Sequence, residues 1–345
     1  MVVIIGAGPA GCYLGYLLAK AGKKVDIFEE HRLVGYPVQC TGIVTSSVLK
    51  IIDIPRDVIL NQINKIKIIA DKEIIFKLKE PNLILNRAKF DQYLAKKAEI
   101  AGAKLYLNHS YKNNNKKYVV INDKKIKFDY LIGADGPLSG VLTNNNFEKN
   151  KLIYGIQASI KGEFEKNTSL IFLKYGEFAW LVPISKNMAI LGLVSKRPKK
   201  DFDKLLTFLN PKILEYHAGP IPIYKKKVLQ KKNIFLLGDA AAQVKATTYG
   251  GIIYGLGAAR LLSLAILKNK DYNRLSKKLH KDLYLSLLIR KILNRFTIKD
   301  YNLLIGYLQK NKTILEEFDR DYPSKFLFKL ILKEPRLLRF VIKFI

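Results

Sequence analysis

A glycine-rich segment near the N-terminus constrains the fold of this chain more than any other feature. An apolar run at residues 2–5 is followed by closely spaced glycines, Gly6, Gly8 and Gly11. This spacing predicts a buried strand, a tight turn and a helix that approaches the strand closely, as in a dinucleotide-binding fold. Residues 24–28 would form the second strand, which ends at Glu29, where an acidic side chain can bind a ribose hydroxyl.

A second glycine-rich segment lies at residues 231–259. An apolar strand is predicted to end at Gly238 and Asp239, and a Gly250-Gly251 pair precedes a helix of small residues. The Asp239 carboxylate can accept hydrogen bonds from a ribityl chain. The free N–H groups and the positive dipole end of the helix suit a phosphate or the N1/O2 edge of a flavin.

A third segment, residues 129–141, reads as a strand that ends at Asp135 and Gly136. Taken alone, it could be an ordinary strand and turn. NAD, NADP and FAD proteins share the first glycine pattern, so that pattern does not identify the cofactor by itself. The three segments in this order favour FAD.

The composition excludes several classes of function. The two cysteines, Cys12 and Cys40, provide no disulfide framework, and we expect Cys12 to pack in the core. The four histidines lack metal-ligand spacing, so no metal site is expected, and no Ser-His-Asp signature is present. The low cysteine count fits a reducing cytoplasm.

The chain is strongly basic. It has 60 Lys and Arg residues against 29 Asp and Glu residues, a formal net charge of +31. The electrostatic field of such a positive charge attracts nucleic acid, acidic proteins or anionic lipid head groups. Nucleic acid fits least well, because the lysines are dispersed and no recognition motif accompanies them. We expect no nucleic-acid partner and favour an anionic membrane surface.

The C-terminal residues 322–345 combine cations with Phe, Leu, Ile and Val. The cations recur every three or four residues, at Lys325, Lys329, Lys333, Arg336, Arg339 and Lys343. This spacing predicts a basic helical stripe, which Pro335 would divide into two short helices. Such helices suit a membrane interface, and the alternative is a helix pair packed on the protein. We therefore expect a cytoplasmic protein, peripheral on the inner face of the cell membrane.

The order of strand and helix signals predicts an α/β fold. A discontinuous Rossmann-like FAD-binding domain would carry an inserted antiparallel-sheet substrate domain and a C-terminal helical region. The FAD-binding domain is assigned to residues 1–60, 86–150 and 231–268. The substrate domain is assigned to 61–85 and 151–230, and the helical, candidate membrane-facing region to 269–345.

Four motifs carry a resemblance to a known family. GAGPAG at 6–11, Glu29, GADG at 133–136 and GDAA at 238–241 resemble the p-hydroxybenzoate hydroxylase-like FAD superfamily. The run PVQCTG at 37–42 is similar to the archaeal geranylgeranyl reductase family, whose members reduce isoprenoid double bonds of membrane lipids or their precursors. The resemblance covers most of the first 265 residues.

The resemblance implies roles on the nucleotide side of the cofactor. Ala10 and Glu29 would contact the FAD pyrophosphate and the adenosine ribose, and Tyr111 would give adenine a backbone contact. Arg87 matches the family's R-x-x-F-D-x-x-L pattern. Its guanidinium could clamp phosphate or ribityl oxygens, and the alternative is a surface arginine at the start of a helix.

The resemblance also implies roles on the flavin side. The residues expected to contact the flavin ring or the ribityl chain are Cys40, Thr41, Gly42, Asp239, Gly251 and Ile252. Cys40 is the candidate catalytic residue beside the flavin. It could donate a proton, pack against the ring or tune its potential, and a purely structural cysteine is the alternative.

Two regions depart from the family pattern. Residues 178–183, FAWLVP, resemble the family's Y-x-W-x-F-P substrate motif, but Phe178 replaces its tyrosine and Val182 replaces its phenylalanine. Trp180 and Pro183 would shape an apolar tunnel for a prenyl chain, although a core tryptophan is an equally good interpretation. Tyr249 stands where the family usually has glycine, and we expect it to stack on or cover the flavin.

The resemblance implies an FAD-dependent reductase that saturates carbon–carbon double bonds of geranylgeranyl chains in archaeal-type membrane glycerophospholipids or their precursors. Hydride would come from reduced FAD. Two alternatives remain: a flavin-dependent monooxygenase or halogenase of the same superfamily, and a flavoprotein that serves electron transfer or interaction only. The electron donor is open between ferredoxin, which the basic surface suits, and NAD(P)H.

Overall fold

The computed structural model describes residues 1–317, 319 and 321–342. Elements are numbered in chain order. The first sheet contains β1 (Val2–Ile5), β2 (Val25–Phe28), β6 (Lys104–Tyr106), β10 (Tyr130–Gly133), β16 (Gln230–Lys231) and β17 (Ile234–Leu236). Its order is β16-β17-β10-β1-β2-β6, and all neighbours are parallel except β16 and β17.

The strands of this sheet are short and apolar because helices cover them. Every residue of β1 and β2 is buried, as expected for a parallel sheet between helices. The main covering helices are α1 (Pro9–Lys20), α2 (Arg87–Ile100) and α5 (Ile252–Leu267), and α1 contacts both of the others. Cys12 is buried here as predicted, and burial raises the pKa of its thiol.

The second sheet has eight strands. They are β3 (Ile43–Val44), β4 (Ile59–Ile69), β5 (Glu73–Leu85), β11 (Lys151–Lys161), β12 (Thr168–Phe172), β13 (Phe178–Pro183), β14 (Met188–Ser195) and β15 (Lys212–Ile223). The order is β15-β11-β14-β13-β12-β4-β5-β3. Helix α4 (Pro198–Leu209) packs on one face, where Phe202 and Leu205 meet Ala179, Leu181 and Leu193.

A small sheet and a helix complete the N-terminal two thirds. Strands β7 (Tyr111–Asn114), β8 (Tyr118–Ile121) and β9 (Lys124–Lys127) form an antiparallel meander, and α3 (Gly140–Asn144) contacts β7. Short 3₁₀ helices lie at Ser46–Lys50, Arg56–Val58, Gly238–Ala241 and Pro335–Leu338.

The C-terminal part is helical. Its helices are α6 (Tyr272–Leu275), α7 (Lys277–Leu293), α8 (Ile298–Lys310), α9 (Lys312–Glu317), α10 (Pro323–Lys333) and α11 (Arg339–Ile342). Pro335 separates α10 from α11, as the missing N–H of proline predicts. In the described part of the chain, no helix has the length and apolar character needed to cross a bilayer.

The predicted fold class is confirmed: a Rossmann-like α/β unit, a second sheet and a C-terminal helical region. The second sheet differs from the prediction in one pairing. Strand β12 lies parallel to β4, whereas every other neighbouring pair of strands in this sheet is antiparallel. The pairing joins a strand before the α2 region to one after it, a long-range contact that local pattern does not encode. The exact domain boundaries stay a prediction.

Candidate functional site

The turn between β1 and α1 brings backbone segments unusually close. Gly6 has a φ of +100°, and a Cβ added there would lie 2.3 Å from the carbonyl oxygen of Ala134. A Cβ on Gly11 would lie 2.2 Å from the carbonyl oxygen of Gly6. Gly8 is different, because a Cβ there would meet no described atom within 4 Å. The turn therefore leaves open space at Gly8, where a phosphate can approach backbone N–H groups.

The N-terminal parts of α1 and α5 and the turn at Gly238 lie close together around Ala10. A Cβ on Gly238 or Gly255 would lie 3.2 or 3.3 Å from the Cβ of Ala10. No side chain of the described residues caps the N-terminus of α1 or α5. Both ends therefore present N–H donors and partial positive charge to one region, which suits an anionic or electron-rich group.

Glu29 lies at the end of β2, beside the glycine turn. Its Oε2 accepts a hydrogen bond from the N–H of Ala7 at 2.8 Å, and its Oε1 accepts one from the N–H of His31 at 3.0 Å. The backbone N–H of His109 donates to the carbonyl of Glu29 at 2.8 Å. These contacts fix the carboxylate next to the turn, where a ribose-binding residue belongs.

Tyr111 begins β7, two residues beyond the contact between His109 and Glu29. Its hydroxyl donates to Oδ1 of Asn114 at 2.5 Å, and its ring lies 3.1 Å from a Cβ built on Gly140. Burial raises its pKa to about 12. The side chain thus packs against α3, and the predicted backbone contact to adenine stays a prediction.

Arg87 interacts with two of the predicted flavin-side residues, Cys40 and Asp239. Its Nε and Nη2 donate to the two oxygens of Asp91 at 3.2 and 2.9 Å. Burial lowers the pKa of Arg87, but Asp91 and the sulfur of Cys40 outweigh burial and hold it above its ordinary value. Burial also raises the pKa of Asp239, and the charge of Arg87 opposes that rise. Cys40, Arg87 and Asp239 therefore share one electrostatic environment.

Residues 40–42 lie between α2 and the second sheet. Gly42 has a φ of +80°, and a Cβ there would lie 2.3 Å from the carbonyl oxygen of Leu85. Its N–H donates to Sγ of Cys40 at 3.4 Å. Thr41 is buried, and its hydroxyl donates to Oε1 of Gln157 on β11 at 2.7 Å. Sequence reasoning missed Gln157, because an isolated glutamine in a strand carries no local signal.

Asp239 lies directly beside the start of α5. A Cβ on Gly251 would lie 3.1 Å from Oδ1 of Asp239, and Gly251 immediately precedes Ile252, the first residue of α5. The three residues predicted to hold the ribityl and pyrimidine side are therefore adjacent. Glycine is suited to position 251 because any side chain there would crowd the carboxylate.

Trp180 lies on the face of the second sheet that is turned toward residues 39–42. A Cβ on Gly192 would lie 2.6 Å from Cζ2 of Trp180 and 2.8 Å from Cβ of Gln157, the residue bonded to Thr41. The rings of Trp180 and Phe178 are 5.5 Å apart. Within the described part of the chain, the buried Nε1 of Trp180 has no hydrogen-bond partner. This group remains available to a polar ligand atom.

Pro183 is not brought together with Trp180. Side chains alternate between the two faces of a strand, so Pro183 shares a face with Ala179 and Leu181, which pack under α4. Val182 lies with Trp180 in a separate apolar cluster. The apolar surface next to Thr41 is therefore formed by Phe178, Trp180 and Val182.

Tyr249 is held by the second sheet. Its hydroxyl donates to Oε2 of Glu177 at 2.6 Å, and Asn294 Nδ2 donates to the same oxygen at 2.7 Å. The guanidinium of Arg290 lies 5.7 Å from the centre of its ring. Burial raises the pKa of Tyr249 well above its ordinary value. The phenol is thus directed to Glu177, and the expectation that its ring covers a flavin stays a prediction.

Arg290 on α7 ties the loop before α5 to β13. Its Nε donates to the carbonyl of Ala246 at 3.1 Å, and its Nη groups donate to the carbonyls of Thr247 and Glu177. The residue is 5% exposed. The sequence did contain a signal, because Asp282, Ser286 and Arg290 recur every four residues and so share one helix face, buried here.

A buried ion pair joins the same loop to the C-terminal part. Lys245 and Asp321 form it, and their side chains are only 2% and 9% exposed. The Thr45 hydroxyl donates to Oδ2 of Asp321 at 2.9 Å, and the Tyr254 hydroxyl donates to its carbonyl oxygen. The chain before α10 is therefore anchored against the loop that carries Tyr249 and Gly251.

This chain is similar to known proteins in both sequence and structure. Residues 4–41 match the NAD(P)-binding Rossmann-like domain family. Digeranylgeranylglycerophospholipid reductase of Methanococcus aeolicus is 26% identical over 98% of this chain and 96% of its own length. The geranylgeranyl bacteriochlorophyll reductase-like protein of Thermoplasma acidophilum has a TM-score of 0.82 at 21% identity, covering 100% of this chain and 98% of that one.

A flavin-dependent brominase also has this fold, with a TM-score of 0.73 at 16% identity over 97% of this chain and 99% of that one. These similarities confirm the predicted resemblance to the geranylgeranyl reductases and the predicted oxidoreductase class. The likeness to the solved structures shows a shared fold. The individual site residues stay predictions.

Proposed function

We propose that this protein is an FAD-dependent reductase that saturates carbon–carbon double bonds in geranylgeranyl chains of membrane glycerophospholipids or their precursors. One observation carries the proposal. The dinucleotide turn, the start of α5 and the Cys40 segment converge beside an apolar sheet face that contains Phe178 and Trp180. The similarity to a digeranylgeranylglycerophospholipid reductase over nearly the whole chain supports the choice of substrate.

The residues present fit FAD. Open space at Gly8 accommodates a pyrophosphate, and the fixed carboxylate of Glu29 suits a ribose. Asp239 beside Gly251 suits the ribityl chain, and the uncapped start of α5 suits the electron-rich edge of the flavin. Reduced FAD, when bound, supplies a hydride from its N5 atom.

The protein must position the prenyl chain, exclude water and provide a proton, because an isolated alkene is a poor hydride acceptor. Phe178 and Trp180 provide an apolar surface that holds a prenyl chain and excludes water. Cys40 Sγ is our candidate to hold the proton. The nearby charge of Arg87 would stabilise the anion left on sulfur after transfer.

The proposal is tested with FAD-loaded protein that is chemically reduced without oxygen and mixed with geranylgeranyl lipids. Mass spectrometry should show products heavier by two hydrogens per reduced bond. Cys40→Ser and Trp180→Ala should lower this activity while leaving the flavin bound. If no prenyl substrate is reduced, the proposal is wrong. Substrate-dependent oxygen consumption would instead indicate a monooxygenase or halogenase. Electron transfer through the flavin without prenyl reduction, insensitive to both substitutions, would indicate an electron-transfer flavoprotein.

We further propose that α10 contacts an anionic membrane surface. Its exposed residues combine apolar and basic side chains: Lys325, Phe328, Lys329, Leu332 and Lys333. Phe328 and Leu332 are 72% and 63% exposed and lie one turn apart. Leu330 faces inward and is buried, so the helix is partly packed and partly open. Lys343, the last cation of the predicted stripe, lies outside the described residues.

A further inference from the structure

Residues 41–43 connect two distant strands of the second sheet. The Thr41 hydroxyl donates to Gln157 on β11 at 2.7 Å, and Ile43 lies in β3, paired with Ile84 of β5. Strands β11 and β3 are second and eighth in the sheet order, which would place them about 29 Å apart in a flat sheet. The two residue steps from Thr41 to Ile43 span at most about 7.6 Å, and the bonded side chains of Thr41 and Gln157 cannot make up the difference. The sheet is therefore strongly curved, and residues 41–43 lie across its concave face.

An apolar cluster lies on this concave face. Three of its side chains are buried and two are partly buried; they are Ile63, Ile84, Val182, Ile43 and Trp180. The next residues along β5, Leu83 and Leu85, belong to the core of the FAD-binding domain instead, as the alternation of side chains along a strand requires.

One buried amide on the concave face has no partner. Asn82 lies directly opposite Ile63 and two residues before Ile84, so its side chain shares their face. It is 3% exposed. Among the described residues, Nδ2 of Asn82 makes no hydrogen bond, and neither does Nε1 of Trp180. Two N–H donors therefore face this apolar surface without an acceptor.

A neighbouring asparagine is fully paired in an equivalent position. Asn61 lies opposite Ile84 on the same face and is 5% exposed. Its Nδ2 donates to the carbonyl oxygens of Lys166 and Pro183 at 2.6 and 2.8 Å. An unpaired buried donor lowers stability, so an amide with a purely structural role is expected to resemble Asn61. Asn82 is instead suited to a ligand atom.

The surroundings of Asn82 favour a neutral acceptor oxygen. An isolated double bond is at most a weak acceptor, and a phosphate buried among Ile63, Ile84 and Val182 would lack a counter-charge. The oxygen that joins a prenyl chain to its head group is an acceptor, and it is bonded directly to the chain that the apolar side chains hold. We call it the linking oxygen.

We propose that Asn82 donates a hydrogen bond to the linking oxygen of the prenyl substrate. This contact fixes the position of the chain along the concave face and so determines which double bond lies beside the flavin-side residues. The inference rests on the proposed reductase function and adds a specificity-determining residue to it.

The test replaces Asn82 by leucine, which has a similar size and no donor. The matched control is Asn61→Leu, the same change on the same face. Two neutral probes differ in a single atom: geranylgeranyl methyl ether and its analogue with a methylene group in place of the oxygen. Trp180 is the only tryptophan of the chain, so its fluorescence reports the binding of either probe to oxidised, FAD-loaded protein.

Asn82→Leu should weaken binding of the ether roughly three- to tenfold and leave binding of the methylene analogue unchanged. In the reduced protein, KM for the ether should rise by the same factor. Mass spectrometry of early products should show reduction spread over several double bonds, because the chain loses its fixed position. Digeranylgeranylglyceryl phosphate and geranylgeranyl diphosphate, assayed in the same way, show whether a glyceryl ether or a phosphate ester supplies the linking oxygen.

The two variants should also differ in stability without any substrate. Asn82→Leu should leave the unfolding temperature unchanged or raise it, because no hydrogen bond is lost and a more apolar group is buried. Asn61→Leu should lower it, because the carbonyl groups of Lys166 and Pro183 lose their donor. Its preference for the ether over the methylene analogue should stay that of the wild type.

Three results would overturn the inference. They are an equal weakening for both probes in Asn82→Leu, an equal loss of ether binding in Asn61→Leu, and a loss of stability in Asn82→Leu as large as that in Asn61→Leu. The wild type alone gives a further measurement, since equal binding of the ether and the methylene analogue would also overturn it. A wild-type protein that reduces no prenyl substrate would instead refute the reductase function, while binding to the oxidised protein would still test Asn82.

Discussion

Two glycines of the first turn should respond differently to the same substitution. Gly8→Ala should leave the apoprotein as stable as the wild type, because φ at Gly8 is −70° and an added Cβ meets no described atom. It should weaken FAD binding, because the Cβ fills the space proposed for the pyrophosphate. Thermal unfolding of the apoprotein and quenching of flavin fluorescence measure the two effects separately.

Gly11→Ala is the matched comparison. Its Cβ would lie 2.2 Å from the carbonyl of Gly6, so the apoprotein itself should lose about 1–3 kcal/mol of stability or more. Unchanged FAD affinity in Gly8→Ala would show that the pyrophosphate does not approach this turn.

His280 should make stability depend on pH. It is 9% exposed, its Nδ1 lies 2.9 Å from the Tyr224 hydroxyl, and burial lowers its pKa below the ordinary value of 6.5. Below about pH 6.5 the unfolded chain therefore binds a proton that the folded protein resists. This contribution to stability is present above pH 6.5 and is lost as pH falls toward the lowered pKa.

His280→Asn removes that titration. Urea unfolding between pH 5 and pH 8 should show that the stability difference between wild type and variant shrinks as pH decreases. A difference that stays constant over this range would mean that the pKa of His280 is unperturbed. Taking the difference cancels the buried carboxyl groups, which titrate alike in both proteins.

At the scale of elements, the Lys245–Asp321 pair should contribute strongly to stability. Asp321→Asn removes the carboxylate that neutralises a 2% exposed ammonium group, and breaking a buried pair in this way costs about 3–5 kcal/mol. Asp71→Asn is the control, because its pair with Lys174 is exposed and should be worth at most about 1 kcal/mol. Urea unfolding compares the two variants.

Equal, small losses of unfolding free energy in both variants would mean that the buried pair does not anchor the C-terminal part.

Several local elements of the fold were predictable from the sequence. The conformational properties of glycine and proline predicted β1, α1 and the break at Pro335, because these properties act within a few residues. Sequence pattern did not predict the parallel pairing of β12 with β4, since it depends on strands far apart in the chain.

For the molecule as a whole, positive charge and exposed apolar side chains should both contribute to membrane binding. Phe328→Asp/Leu332→Asp should reduce co-sedimentation with phosphatidylglycerol vesicles, because two exposed apolar anchors become acidic. Higher salt should also weaken the binding, since a net charge of +31 drives much of the attraction.

The control variant is Leu138→Asp/Phe208→Asp. These residues are 71% and 64% exposed and lie away from α10, so their replacement changes charge and apolar area equally. If both variants bind vesicles equally well, the membrane contact is not at α10. Equal binding to phosphatidylcholine vesicles would show that charge does not drive the association.

The α/β class and the dinucleotide turn follow from local sequence patterns, and the same patterns predicted most of the candidate cofactor residues, because glycine spacing and strand alternation act over short distances. Which distant side chains come into contact depends on the packing of the whole fold. Thr41 contacts Gln157, Tyr249 contacts Glu177 and Lys245 contacts Asp321 across separations of 116, 72 and 76 residues. Such contacts depend on how whole sheets and helices pack, which no local pattern specifies.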